Sequence, residues 1–170
     1  MPGKIVYIGL GANIGNRTQN LKKALLLLDE HPEIEVVACS RLYETEPVQM
    51  DSPHWFMNAV ARINTSLAPE DLMTILLETE KRLGRDRGAM DRTVDLDILY
   101  MQDTLWNDGS LVIPHPRLQE RAFVLRPWMD LDPDLVIEPL GKTVSELCSS
   151  VSKDSPVVRV TQIAIWEDRA

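Results

Sequence analysis

Arg92-Thr93-Val94-Asp95-Leu96-Asp97-Ile98-Leu99-Tyr100 is the stretch on which the fold turns. Its alternation predicts a β-strand over residues 94–100. Neighbouring side chains in a strand take opposite faces, so Val94, Leu96 and Ile98 line one side while Asp95 and Asp97 share the other. Two carboxylates about 7 Å apart on one pleated face repel, and a cation between them, most simply a hard divalent metal, relieves that cost. The simpler alternative is the acidic outer face of an ordinary amphipathic strand. For so short a motif taken alone, that alternative is the favoured one.

Upstream of this strand, Ala68-Pro69-Glu70-Asp71 starts a helix, with proline in the first turn and acids where the helix dipole favours them. Leu72, Ile75, Leu76, Thr79 and Leu83 form its apolar stripe, and Gly84 is placed to cap it. Residues 34–43 and 55–65 alternate as two further strands. They are joined by an eleven-residue, two-proline connection, residues 44–54, longer than a hairpin requires. Residues 4–10 (KIVYIGL) form the first strand, ended by the glycines of Gly9-Leu10-Gly11-Ala12-Asn13-Ile14-Gly15. Asn16 then caps a helix carrying Leu21, Ala24, Leu25 and Leu28. The glycine spacing is one residue too long for a dinucleotide-binding fingerprint, and no alternating parallel units follow; a turn needing positive φ accounts for the glycines.

Beyond the acidic strand, residues 118–131 look helical with Pro127 bending or ending a first piece. Residues 143–151 read as another short helix and 157–166 as a closing strand. No repeat or composition break divides the chain, so residues 1–170 are expected to form one domain. The order β-α-β-β-α-β points to an α+β sandwich: a mainly antiparallel sheet with its helices packed on one side and the other face free for loops.

Composition narrows the function. With 44% hydrophobic and 26% charged residues the chain is ordinary for a globular protein, and a net charge of -8 argues against general binding of nucleic acid or anionic membrane. The apolar run near the N-terminus is broken too soon by Gly9 and Gly11 for a signal peptide, and no run reaches membrane-spanning length, so a cytoplasmic location is expected. Cys39 and Cys148 are far apart and have no metal or redox spacing.

Cations nevertheless gather around the paired acids: Arg85, Arg87 and Arg92 before the strand, His115, Arg117 and Arg121 after it. That mixture suits a metal-bound polyphosphate, with carboxylates holding Mg²⁺, Mg²⁺ bridging phosphate oxygens and arginines bearing the charge of the transferring group. Solvated surface ion pairs are the alternative for the arginines, and a rigid turn for His115 between its prolines. Phe56 and Phe123 would ordinarily be core or sheet-face residues. Asn58, an amide in mid-strand among apolar neighbours, needs water or a partner that matches both its donor and its acceptor.

Gly84-Arg85-x-Arg87, the run from Arg92 to Leu99, and Ile113-Pro114-His115-Pro116-Arg117 followed by Arg121-Ala122-Phe123-Val124-Leu125 together resemble the 6-hydroxymethyl-7,8-dihydropterin pyrophosphokinase family of folate biosynthesis. YIGLGANIGNR, YETEPV, Phe56-x-Asn58 and SLAPEDL match it too, so the resemblance runs in order along nearly the whole chain. It implies a ferredoxin-like monomer that moves the β,γ-diphosphoryl group of ATP to the hydroxymethyl oxygen of the pterin and releases AMP. On the resemblance, Asp95 and Asp97 hold two Mg²⁺ ions, and Arg85 and Arg92 act on the phosphates. Glu80, Arg87, Arg92, Ile98, His115 and Arg121 belong to the ATP site. Phe56 and Phe123 sandwich the pterin, Asn58 pairs with its ring edge, and the backbone of Thr45 and Val48 completes the slot.

The chain departs from the family pattern in a short 88–91 loop without the tryptophan and glycine-proline of many members. Ser110 and Pro116 also stand where members can carry arginine and tyrosine. Loops 44–54 and 84–92 are expected to close over bound substrates. Two other functions use the same residues: a different Mg²⁺-dependent phosphohydrolase or nucleotidyl-transfer enzyme, and a non-catalytic ferredoxin-like module binding through its open sheet face. The Phe56, Asn58 and Phe123 set discriminates against the first and the paired acids against the second.

Overall fold

β1 (Lys4–Ala12) lies between two antiparallel neighbours, β4 (Phe56–Thr65) and β5 (Asp95–Met101), and these three strands carry most of the sheet. The computed structural model describes residues 3–46, 54–84, 93–151, 158–160, 165–167 and 169. Val48, Arg85, Arg87 and Arg92 lie outside them, as do most of the 44–54 connection and the 85–92 loop. β2 (Ile34–Cys39) and β3 (Tyr43–Thr45) pair with successive parts of β4, and β10 (Val158–Val160) extends the sheet beyond β3. The strand order is β10-β3-β4-β1-β5, so β5 and its acids stand at an edge.

Local chemistry sets the first two helices. α1 (Arg17–Asp29) starts where the Asn16 side chain accepts the Gln19 N–H at 3.1 Å, and it buries Leu21, Ala24, Leu25 and Leu28. α2 (Pro69–Arg82) has proline in its first turn, Glu70 and Asp71 at its start and Lys81 and Arg82 at its end, which suits the dipole at both termini. Gly84 follows at φ 85°, a conformation that favours glycine.

Alternation assigns the sheet faces. Val6, Ile8 and Leu10 of β1, Met57, Ala59 and Ile63 of β4, and Leu96 and Ile98 of β5 pack against α1 and α2 in one core. Tyr7, Val60 and Leu99 look the other way, toward α3 (Ala122–Met129) and α4 (Val144–Ser150). The α+β architecture and antiparallel sheet are as expected, and α1 and α2 share one face. The other face, expected to be left to loops, is partly covered by α3 and α4.

Several boundaries differ from the sequence reading. β1 does not end at Leu10: it runs on to Ala12, with Gly9 and Gly11 inside the ladder. The single strand expected over 34–43 is two, interrupted where the Ser40 hydroxyl accepts the Val60 N–H at 2.9 Å in place of a backbone carbonyl. The helix expected over 118–131 is a 3₁₀ turn at Leu118–Glu120 followed by α3, and Pro127 falls within the last turn of α3 rather than splitting it. Thr143 caps α4 with a capping box to Glu146, as the short helix read there requires. Two small hairpins were not foreseen: β6 (Trp106–Asn107) with β7 (Val112–Ile113), and β8 (Val136–Ile137) with β9 (Lys142–Thr143). No helix among the described residues is long and apolar enough to cross a membrane.

Candidate active site

Strand register assembles the site. Gly11 pairs with Asn58 on one side and Asp95 on the other, while Gly9 pairs with Val60 and Asp97. Neighbouring strands are about 4.8 Å apart, so Asn58 and Asp95 stand roughly 10 Å from each other with only the backbone of Gly11 between them. A Cβ at Gly11 would lie 3.0 Å from Asn58 Oδ1 and 3.5 Å from Phe56 Cδ1. The glycine read as a turn residue is therefore the bare floor of a slot. Its only sequence signal was its parity with Tyr7, two strand pairs along the same face.

Phe56 and Thr45 are cross-strand partners on that face, next to Asn58. Asn58 and Thr45 are buried, at 6% and 2% exposure, and Asn58 Nδ2 donates to Thr45 Oγ1 at 2.6 Å. Phe123 enters from the first turn of α3, with the Arg121 guanidinium 5.6 Å from its ring centroid. Asp95 and Asp97 are both half-buried on the same face of β5. The structure thus gathers Thr45, Phe56, Asn58, Asp95, Asp97 and Phe123 on the face that α3 crosses.

The side chains of two residues expected in the ATP site are engaged with the core and the edge strand. The Ile98 side chain is buried in the α1–α2 core, so only its backbone, on an edge strand, is available to a nucleotide. Glu80 is 2% exposed on α2, and its carboxylate accepts the Leu96 N–H at 2.7 Å. It fastens the acidic strand between Asp95 and Asp97 to the helix. That bond spans sixteen residues and has no local sequence signal.

His115 joins the site through its backbone, its N–H donating to the Leu99 carbonyl at 2.9 Å, while its Nδ1 accepts from the Arg117 N–H at 3.1 Å. Burial, and then the charges of Arg121 and Arg117, push its pKa down to about 4, against the opposing pull of Asp95. His115 is thus neutral at pH 7 and offers a hydrogen-bonding ring rather than a charge. With the folded pKa below the ordinary value near 6.5, the unfolded chain takes up the proton first as pH falls. Stability from this residue is full above about pH 6.5 and declines down to about pH 4. In metal-free buffer, His115→Gln should flatten the fall in melting temperature across that window; an unchanged slope would assign it to other groups.

Beside His115 lies an apolar cleft of about 420 Å³, walled by Leu105, Trp106, Val112, Pro114 and Leu140. The hairpin forming one wall is braced by Asp108, which accepts from Leu111 N, Trp106 Nε1 and both donors of Ser110. Those bonds, the one from Leu111 first, hold the Asp108 carboxyl down at about 2. Ser110, where family members can carry arginine, is used in this turn.

The family model for 7,8-dihydro-6-hydroxymethylpterin-pyrophosphokinase matches residues 7–133. A Bacillus subtilis 2-amino-4-hydroxy-6-hydroxymethyldihydropteridine pyrophosphokinase is 34% identical over 98% of this chain and 92% of its own length. The Methylorubrum extorquens protein of the same name is 42% identical over 82% of this chain and 89% of its own. A folate synthesis bifunctional protein of Arabidopsis thaliana is 43% identical over 74% of this chain, which spans only 26% of that longer protein. Among solved structures, an HPPK-DHPS in complex with substrates superposes with a TM-score of 0.71 over 88% of this chain and 43% of its own. At 13% identity that likeness speaks for the fold alone.

Proposed function

The chain belongs to the 7,8-dihydro-6-hydroxymethylpterin-pyrophosphokinase family, and on that premise we propose that it transfers the β,γ-diphosphoryl group of ATP to the hydroxymethyl oxygen of 6-hydroxymethyl-7,8-dihydropterin in folate synthesis. The observation that carries this reading is the row Asn58, Gly11, Asp95. An amide that can pair with a ring edge stands at one end and a metal-holding acid at the other. The bare floor between them has the span of a two-ring heterocycle with its hydroxymethyl arm. Phe56 and Phe123 supply the apolar faces for the ring and the Thr45 backbone borders the slot, with Val48 assigned to the same pterin-binding role on the family resemblance.

Asp95 and Asp97 suit Mg²⁺. Among the described residues no third histidine, cysteine or acid joins them in a metal-binding group, and Mg²⁺ characteristically takes one or two carboxylates with phosphate oxygens and water as its other ligands. Two Mg²⁺ ions held there would offset the charge of the polyphosphate and polarise the β-phosphorus. Asp95 and Asp97 fix where that charge is met, and the Phe56–Asn58–Phe123 slot holds the acceptor hydroxyl facing the β-phosphorus. The hydroxyl oxygen bonds to the β-phosphorus, and the bond from that phosphorus to the oxygen bridging the α-phosphate breaks. AMP leaves with the bridging oxygen, and the hydroxyl proton passes to an oxygen of Asp95 or Asp97 or to water. Arg85 and Arg92 act on the phosphates. Arg87, the Ile98 backbone, His115 and Arg121 hold the nucleotide, with Glu80 fixing the edge strand beside it. Residues 1–170 act as one catalytic domain on these two small molecules, as a monomer and in the cytoplasm.

Incubation with Mg²⁺, ATP and the pterin should release AMP and diphosphorylated pterin in equal amounts, and EDTA should stop both. ADP or inorganic phosphate as the product, or AMP formed equally well without pterin, would favour a phosphohydrolase or nucleotidyl-transfer activity instead.

A further inference from the structure

Asn58 is an unusual residue to find at 6% exposure in the middle of a strand, and what surrounds its amide decides what it can read. A primary amide has two N–H donors and a carbonyl acceptor with two lone pairs. One donor is taken inside the protein, because Nδ2 donates to the Thr45 hydroxyl at 2.6 Å, and Thr45 is itself 2% exposed. Water has little access to that bond, so it persists between turnovers and holds the amide plane. On the other side Oδ1 overlooks Gly11, where a Cβ would come within 3.0 Å of it. Among the described residues nothing else bonds the amide, which leaves one N–H and one carbonyl oxygen to a ligand, a donor next to an acceptor on one rigid plane.

We infer that the Thr45 hydroxyl and the missing side chain at Gly11 together are the device that orients the Asn58 amide, so that the slot accepts a ring edge presenting an N–H or amino group beside a bare ring nitrogen. This rests on the pterin reading of the site and adds to it. Thr45 acts through its side chain as a positioning residue, beyond its backbone, and Gly11 determines specificity by leaving the carbonyl oxygen uncovered. Without the hydroxyl the amide rotates between orientations, and a ligand must then pay to order it. One net hydrogen bond corresponds to about a tenfold change in affinity.

The deciding comparison is steady-state kinetics of the wild-type protein, Thr45→Val, Thr45→Ser and Gly11→Ala, with KM measured for pterin and for ATP. Thr45→Val keeps the β-branched shape, and it should raise the pterin KM about tenfold while leaving kcat and the ATP KM within about twofold. Thr45→Ser should restore the wild-type value. Gly11→Ala, which crowds Oδ1 directly, should also raise the pterin KM selectively. The side-chain amide resonances of Asn58 should broaden in Thr45→Val and stay sharp in Thr45→Ser. The inference is overturned if Thr45→Val leaves the pterin KM unchanged in an active enzyme, if serine fails to rescue, or if both KM values and kcat move together as a general structural loss would require. Should Thr45→Val not fold, the selectivity of Gly11→Ala and Thr45→Ser carries the same decision. A wild-type protein that releases no AMP with pterin overturns the functional reading and this inference with it, which separates that failure from a silent Thr45→Val.

Discussion

Asp97→Ala should lower kcat on the order of 10³-fold, an effect of about 4 kcal/mol on the barrier, with the fold intact. Asp97 sits in the row with Gly9, on the face of β5 away from the α1–α2 core, so its loss removes no core packing. It also relieves repulsion from Asp95 on the same face. What disappears is half of the carboxylate pair proposed to hold the metal against the phosphates. Turnover and thermal melting measured on the same preparation decide the matter. A fall in melting temperature that matches the fall in rate would make Asp97 a structural residue, and wild-type turnover would remove it from the metal site. Asp97→Asn should fall nearly as far, because an amide keeps the shape and loses the charge.

Trp128→Ala carries the largest expected cost in stability, about 3–5 kcal/mol, or on the order of a 10 °C fall in melting temperature. The indole is fully buried beneath α3, tilted against the Tyr7 ring at a centroid distance of 5.1 Å. It belongs to the core that seats α3 and α4 on the sheet. The damage should reach the site, because the same helix carries Phe123 at its other end. The C-terminal end of α3 is tied down by Asp130, which accepts from Tyr43 Oη and Arg41 Nη2 at 2.9 Å each, and by Asp132, which accepts from Tyr7 Oη and Arg62. Trp128→Phe should cost much less, since among the described residues the indole N–H has no hydrogen-bond partner to lose. Urea or thermal unfolding that finds the phenylalanine variant as unstable as the alanine one would overturn this packing account.

Features governed by neighbours along the chain were readable in advance. The Asn16 cap, Pro69 and Gly84 around α2, the short helix near residue 143 and the alternation from Val94 to Tyr100 all depend on contacts within a few residues. The paired acids follow from that alternation alone. Other features depend on partners far away in sequence. Ser40 breaks a strand by bonding Val60, and Glu80 looks like an exposed helix acid until Leu96 reaches it. Ile98 alternates correctly, which is the reason its side chain points into the α1–α2 core and only its backbone is left to the ATP-binding role expected of it.

The sequence by itself determined the α+β order, the limits of α1 and α2 and the side-by-side Asp95 and Asp97, because these are properties of local spacing, and its separated motifs carried the family resemblance. Only the tertiary structure decided that α3 and α4 cover part of the second face, that Gly11 is a floor rather than a turn, and that Asn58 is held by Thr45. Period-two alternation states which residues share a face. It does not state which strand lies alongside or what packs above, since strand register and long-range packing are set by the whole core.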